Sequence, residues 1–152
     1  MTHPNVLESH AGYWLRKLSN QVSGAFAARV EKYGVSVAAW VVLRVLFDHD
    51  SLPLKDIVSQ VGVDQGALSR MVDRLLARGL VTRRESPNSR REVANSLTEE
   101  GRKLVPKLAR EADENDRAHF DHLPARRRAE LLSTIKTLIS VNQGDSATHP
   151  IN

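Results

Sequence analysis

The chain has 152 residues, 41% hydrophobic and 26% charged, the balance of an ordinary globular protein, which excludes wholesale disorder and fibrous low-complexity classes. Its 22 basic and 18 acidic side chains give a net charge of +4, and it contains no cysteine. Disulfides, thiolate metal sites, a catalytic cysteine and thiol redox switches are therefore excluded. No apolar run approaches the roughly 18 to 20 residues of a membrane span, and the first residues lack a basic start followed by an apolar block, so a cytoplasmic location is expected. This length suits one compact domain over 1–152, with 1–8 and 143–152 as loose tails.

From about Ser9 to Lys32, Tyr13, Trp14, Leu18, Val22, Ala25, Phe26 and Val30 recur mostly three and four apart, which predicts a long helix ended by Gly34. Ser36 is a good N-cap for the next helix, where Val37, Ala38, Trp40, Val41, Val42, Leu43, Val45, Leu46 and Phe47 leave little polar surface. A helix this apolar is expected at the centre of the fold. Asp48 to Ser51 breaks it, and Pro53 stands near the start of a short helix with Leu54, Ile57, Val58 and Val61 on one face. Gly62 predicts a tight turn, and Asp64 caps a fourth helix whose buried stripe is Leu68, Met71, Val72, Leu75 and Leu76, ended by Gly79.

After Gly79 the pattern turns strand-like: LVTRRE, a turn of Ser86-Pro87-Asn88-Ser89, then RREVANSL with Val93, Asn95 and Leu97 on one face. A β-hairpin is expected. Thr98 caps a helix running to about Phe120, with Glu99 and Glu100 at the positive end of its dipole and a bend expected at Pro106. Pro124 opens the last helix, with the stripe Leu131, Leu132, Ile135, Leu138 and Ile139. Arg126, Arg127 and Arg128 crowd its first turn, the unfavourable sign for that end of a helix.

The basic charge is concentrated. Residues 69–91 hold seven arginines against Asp73 and Glu85, whereas the rest of the chain carries a slight acidic excess. Such a patch is the footprint of a polyanion partner, and arginine without lysine favours phosphate and base-edge contacts. Two short helices joined by a glycine turn, the second presenting Gln, Ser and Arg, followed by an arginine-bearing hairpin, define a winged helix-turn-helix. The predicted fold class is thus mainly α, with a small β-hairpin wing. Gln65, Ser69 and Arg70 are the candidate base readers, while Arg74, Arg83 and Arg84 are assigned to phosphates. Lys55 joins the DNA-binding set, and Arg90 and Arg91, beside the hairpin turn, suit a minor groove. Arg78 is divided evenly between this role and simple surface charge.

The stretch LPLKDIVSQVGVDQGALSRMVDRLLARGLVTRRESPNSRREVANSLTEEG resembles the helix-turn-helix core, wing and "L-T-x-x-G" exit of the MarR (multiple antibiotic resistance regulator) family, a likeness that extends over about residues 10–140. The resemblance implies a homodimer built by long N- and C-terminal helices (9–33 and 98–142), with 36–97 as the DNA-binding lobe. It further implies a transcriptional regulator, most often a repressor, bound to a pseudo-palindromic operator. The terminal helices support this independently, since the central module is too small to cover their apolar stripes. Three features depart from the family pattern: Ser89 replaces the acidic residue that commonly braces the wing arginine, Asn95 replaces an apolar residue, and the arginine triplet 126–128 replaces an acidic helix start.

Family members often release DNA on binding a small aromatic or phenolic acid, which makes His10, Tyr13, Trp14, Arg16, Trp40 and Arg44 effector candidates. Aromatic rings offer stacking area and an arginine pairs a carboxylate, although aromatic residues at helical spacing are more often packing. His119 and His122, near Glu111, Asp113, Asp116 and Asp121, make a weak zinc signal for want of evident third and fourth ligands, so no metal or cofactor is expected. No phosphate-cradling glycine loop, nucleophile elbow or H-E-x-x-H pair is present, so an enzyme is not expected. The rival reading is a winged helix used as a protein-docking module.

Overall fold

The computed structural model describes residues 4–86 and 89–146, apart from the side chains of 89, 90 and 144–146. Six helices and three short strands follow in order: α1 (Ala11–Glu31), α2 (Val37–Phe47), β1 (Leu52–Pro53), α3 (Leu54–Val61), α4 (Gln65–Ala77), β2 (Val81–Ser86), β3 (Ser89–Leu97), α5 (Glu99–Phe120) and α6 (Ala125–Ser146). They form two compact units, one ending at Asn115 and the other beginning at Asp116, with α5 passing from one to the other.

The first unit is organised around α2. Ser36 caps it by accepting the Ala39 N–H at 3.0 Å, and Ala39, Val42, Leu43 and Leu46 are buried. They join Val30 of α1, Ile57 of α3, Leu68, Val72 and Leu75 of α4, Leu80 just before the sheet, Val81 and Leu97 of the sheet, and Val105 and Leu108 of α5 in one core. The central position expected from the composition of α2 is observed. At the α5 start, Thr98 Oγ1 donates to the Gly79 carbonyl at 2.6 Å and accepts the Gly101 N–H at 3.1 Å. The helix then continues through Pro106 to Phe120.

Towards its N-terminus α1 is largely exposed. Trp14, Leu15 and Leu18 keep about half of their surface, and the first described residues include a 3-10 turn, Leu7–Ser9, to which Trp14 is tied by an Nε1–H bond to the Glu8 carbonyl at 2.8 Å.

The sheet has one strand more than the sequence suggested. Leu52 and Pro53 pair antiparallel with β3, opposite Asn95 and Ala94, so the order is β1-β3-β2. Proline is tolerated there because β1 is an edge strand. Two residues give no periodicity, and Pro53 in the sequence marks only the start of the short helix that follows.

In the second unit Arg128 holds the helical corner, its Nη1 donating to Asp121 at 3.0 Å and its Nη2 pairing with Asp116, while Arg126 pairs with Glu130 four residues on at 3.0 Å. These carboxylates account for two of the three arginines at the α6 start. The helix leaves Leu132, Ile135, Leu138, Ile139 and Val141 exposed, whereas Leu131 is half-buried.

Candidate nucleic-acid interface

Gly62 ends α3 in the left-handed conformation, φ 71°, its N–H donating to the Val58 carbonyl at 2.8 Å. A side chain with a Cβ is strained there. Two residues later Asp64 accepts the Ala67 N–H at 2.9 Å and starts α4. Leu68, Val72 and Leu75 anchor α4 in the core, which turns Gln65, Arg70, Asp73 and Arg74 outward, with Ser69 half-buried. Thirteen residues make a rod of about 20 Å, narrow enough for a major groove. Gly66 keeps its start bare: a Cβ there would lie 3.6 Å from Arg70 Nη1 and 3.1 Å from Asp64 Oδ2.

The hairpin pairs Arg83 with Asn95 and Arg84 with Ala94, so the two arginines point to opposite faces. Arg83 turns to α4, where its Nη2 donates to Asp73 Oδ1 at 2.8 Å and its Nε to Asn95 Oδ1 at 3.3 Å. Arg84 is exposed. Lys55 is bound by Glu92 of β3, Nζ to Oε1 at 2.6 Å, and this carboxylate raises the lysine pKa above its ordinary value, chiefly through the hydrogen bond. Arg78 is structural, donating to the carbonyls of Gly34 and, at 3.1 Å, Tyr33.

The structure thus sorts the basic candidates. Arg70, Arg74 and Arg84 are exposed with no ion-pair partner among the described residues, whereas Lys55 and Arg83 are held by acids. Arg74 sits to one side of the others, lining a cleft with Gly34, Ser36, Met71 and Arg78. Arg91 is exposed on β3. The side chains of Arg90 and Ser89 lie outside the described residues, and so does the question of what braces the wing in place of an acid. Asn95, which the family pattern left without a role, is 2% exposed and hydrogen-bonded on both sides, its Nδ2 donating to the Leu52 carbonyl at 3.2 Å.

The effector candidates are not gathered in one place. Tyr13 and Trp14 meet edge to face at 5.1 Å under the Lys17 ammonium, and His10 and Arg16 are exposed nearby in sequence. Trp40 instead packs edge-on against Phe26, which stands about 20 Å along α1 from Tyr13. Arg44 is paired with Asp48 at 2.7 Å. Among the described residues no three potential metal ligands converge: Glu111 receives Arg29 and the Tyr33 hydroxyl, both at 3.2 Å, and Asp116 and Asp121 hold Arg128. No helix among the described residues is long and apolar enough to cross a membrane.

Comparison with known proteins agrees with this architecture. Residues 35–93 match the model of the MarR family. The organic hydroperoxide resistance transcriptional regulator of Bacillus subtilis (strain 168) is 30% identical over 101 residues, 66% of this chain and 69% of that protein. BpsR of Bordetella bronchiseptica, whose structure addresses regulation of its DNA binding by 6-hydroxynicotinic acid, superposes with a TM-score of 0.82 at 26% identity, covering 90% of this chain and 97% of that one. A mutant MarR from E. coli complexed with operator DNA gives 0.80 at 21% identity, covering 89% and 99%. The fold is a winged helix-turn-helix, and the chain belongs to the MarR family of transcriptional regulators.

Proposed function

We propose that the protein binds double-stranded DNA sequence-specifically as a homodimer, with α4 in the major groove, and represses transcription from a pseudo-palindromic operator. The observation that carries this reading is the outer face of α4, where Gln65 and Arg70 are exposed, with Ser69 half-buried beside them, on a helix anchored by three buried side chains. Arg70 suits a guanine edge and Gln65 an adenine edge. Arg74 and Arg84 supply phosphate contacts that fix register, and Arg90 and Arg91 are assigned to the minor groove beside the wing. A mutant MarR from E. coli, a protein of the same fold, forms a complex with operator DNA, which supports DNA as the partner.

Homodimerisation rests on the apolar residues that α1 and α6 leave exposed, and two-fold symmetry then sets the half-sites about one helical turn apart, roughly 34 Å. A small aromatic acid is the proposed releasing effector, by analogy with BpsR and 6-hydroxynicotinic acid. Tyr13 and Trp14, with His10 and Arg16, form one candidate contact group, and Trp40 and Arg44 belong to another part of the lobe.

Selection of bound duplexes from a random pool, followed by anisotropy titration of the winner against a scrambled copy, tests this function. Tighter binding of a pseudo-palindrome by two chains per duplex is expected. Equal, weak and salt-sensitive binding to both would overturn it in favour of a protein-docking winged helix.

A further inference from the structure

Asn95 lies two residues from the end of the central strand, opposite Arg83 on one side and Leu52 on the other. Alternation along β3 asks for an apolar residue there, and a buried amide is costly unless its polar atoms are bonded. Both ends are bonded: Oδ1 accepts from Arg83 Nε at 3.3 Å and Nδ2 donates to the Leu52 carbonyl at 3.2 Å. The Arg83 guanidinium in turn reaches Asp73 at 2.8 Å, so one polar path joins β1, β3, β2 and α4. A planar guanidinium held at Nε and Nη2 has its plane fixed.

Asp73 is the only acidic residue of α4 and lies one turn beyond Ser69 and Arg70, on the face proposed to meet DNA. Its side chain is 58% exposed against 37% for Arg83, so its charge stands open to solvent on one side and is neutralised by Arg83 on the other. We infer that Asn95 is a positioning residue for base reading: it locks Arg83 onto Asp73, which fixes α4 against the wing and withholds Arg83 from the DNA backbone. This inference rests on the proposed DNA-reading function. An apolar residue at 95 leaves the guanidinium free to swing from Asp73 to a phosphate, a contact that strengthens binding to every sequence alike.

The test compares wild type, Asn95→Leu, Asp73→Asn and the double variant on the selected duplex and its scramble. Asp73 is a surface residue, so its variant keeps the inference testable if Asn95→Leu folds poorly. Each single change is expected to lower the ratio of selected to scrambled affinity about fivefold, the order expected when hydrogen-bonded side chains are uncoupled, and the double change by no more than either alone. Asn95→Leu should also steepen the salt dependence, and the slowly exchanging Arg83 Nε–H resonance expected in the wild type by NMR should be lost. An unchanged ratio in both single variants would overturn the inference, as would a lower melting temperature for Asn95→Leu with the ratio intact, since that marks a purely structural amide. A wild type that itself fails to prefer the selected duplex refutes the DNA-reading function instead, and the wild-type titration distinguishes the two failures.

Discussion

Arg78, at the end of α4, donates through Nη2 to the Tyr33 carbonyl at 3.1 Å and through Nη1 to that of Gly34, so the C-terminus of the proposed recognition helix is tied to the turn between α1 and α2. Gly34 has φ +70°, and a Cβ on it would stand 3.0 Å from Arg78 Nη2. Gly34→Ala combines left-handed strain with displacement of that guanidinium, and is expected to cost about 2 kcal/mol. Urea denaturation checks this, and in an Arg78→Ala background the same change should cost less.

Gly101 lies where the α5 start passes Leu80, in the turn between α4 and β2, and Leu97 at the end of β3. A Cβ there would overlap the Leu80 carbonyl oxygen and approach Leu97 Cδ2 to 3.2 Å, and the obstructing carbonyl is backbone, which cannot rotate away. Gly101→Ala should therefore destabilise the first unit by about 3 kcal/mol, the upper range for overpacking. Loss of about that much in the same denaturation experiment is the expected result, and near-neutrality would show that α5 can shift.

These two glycines show what a sequence reveals and what it conceals. Both were visible as punctuation, Gly34 as a helix stop and Gly101 as part of "L-T-x-x-G", because local conformation leaves a local mark. The caps Ser36, Asp64 and Thr98 were legible for the same reason. Arg83 and Lys55 were not separable from Arg84, and the role of Arg78 stayed evenly divided, because the partner of a basic side chain is set by tertiary neighbours: Gly34 is 44 residues from Arg78, and Asn95 is 12 from Arg83. Likewise Tyr13 and Trp40 looked equivalent as aromatic residues on apolar helices, although one meets Trp14 and the other Phe26.

Lys55 and Arg84 are expected to respond oppositely to simple changes. Glu92→Gln removes the charge that holds Lys55, so binding to specific and random duplexes should strengthen together and the slope of log K against log salt should steepen by about one. Arg84→Ala should weaken all duplexes alike and flatten that slope by a similar amount. Anisotropy titrations across a salt series measure both.

The apolar residues of α6 carry the dimer prediction. Leu132 and Ile139 are 48% and 52% exposed, whereas Leu131 is half-buried within its own unit, so the former pair reports association without disturbing local packing. Leu132→Asp with Ile139→Asp places two carboxylates in the proposed seam and should yield monomers by light scattering with helical content preserved. A dimeric mass would show that association uses another surface.

The central claim, that the exposed face of α4 reads bases, is tested most directly by Arg70→Ala on a panel of selected duplexes carrying single base-pair substitutions. The expected result is loss of about 1 to 3 kcal/mol of discrimination at one symmetric pair of positions, with preference elsewhere intact. Discrimination retained at every position, or affinity lost equally on selected and random duplexes, would contradict it.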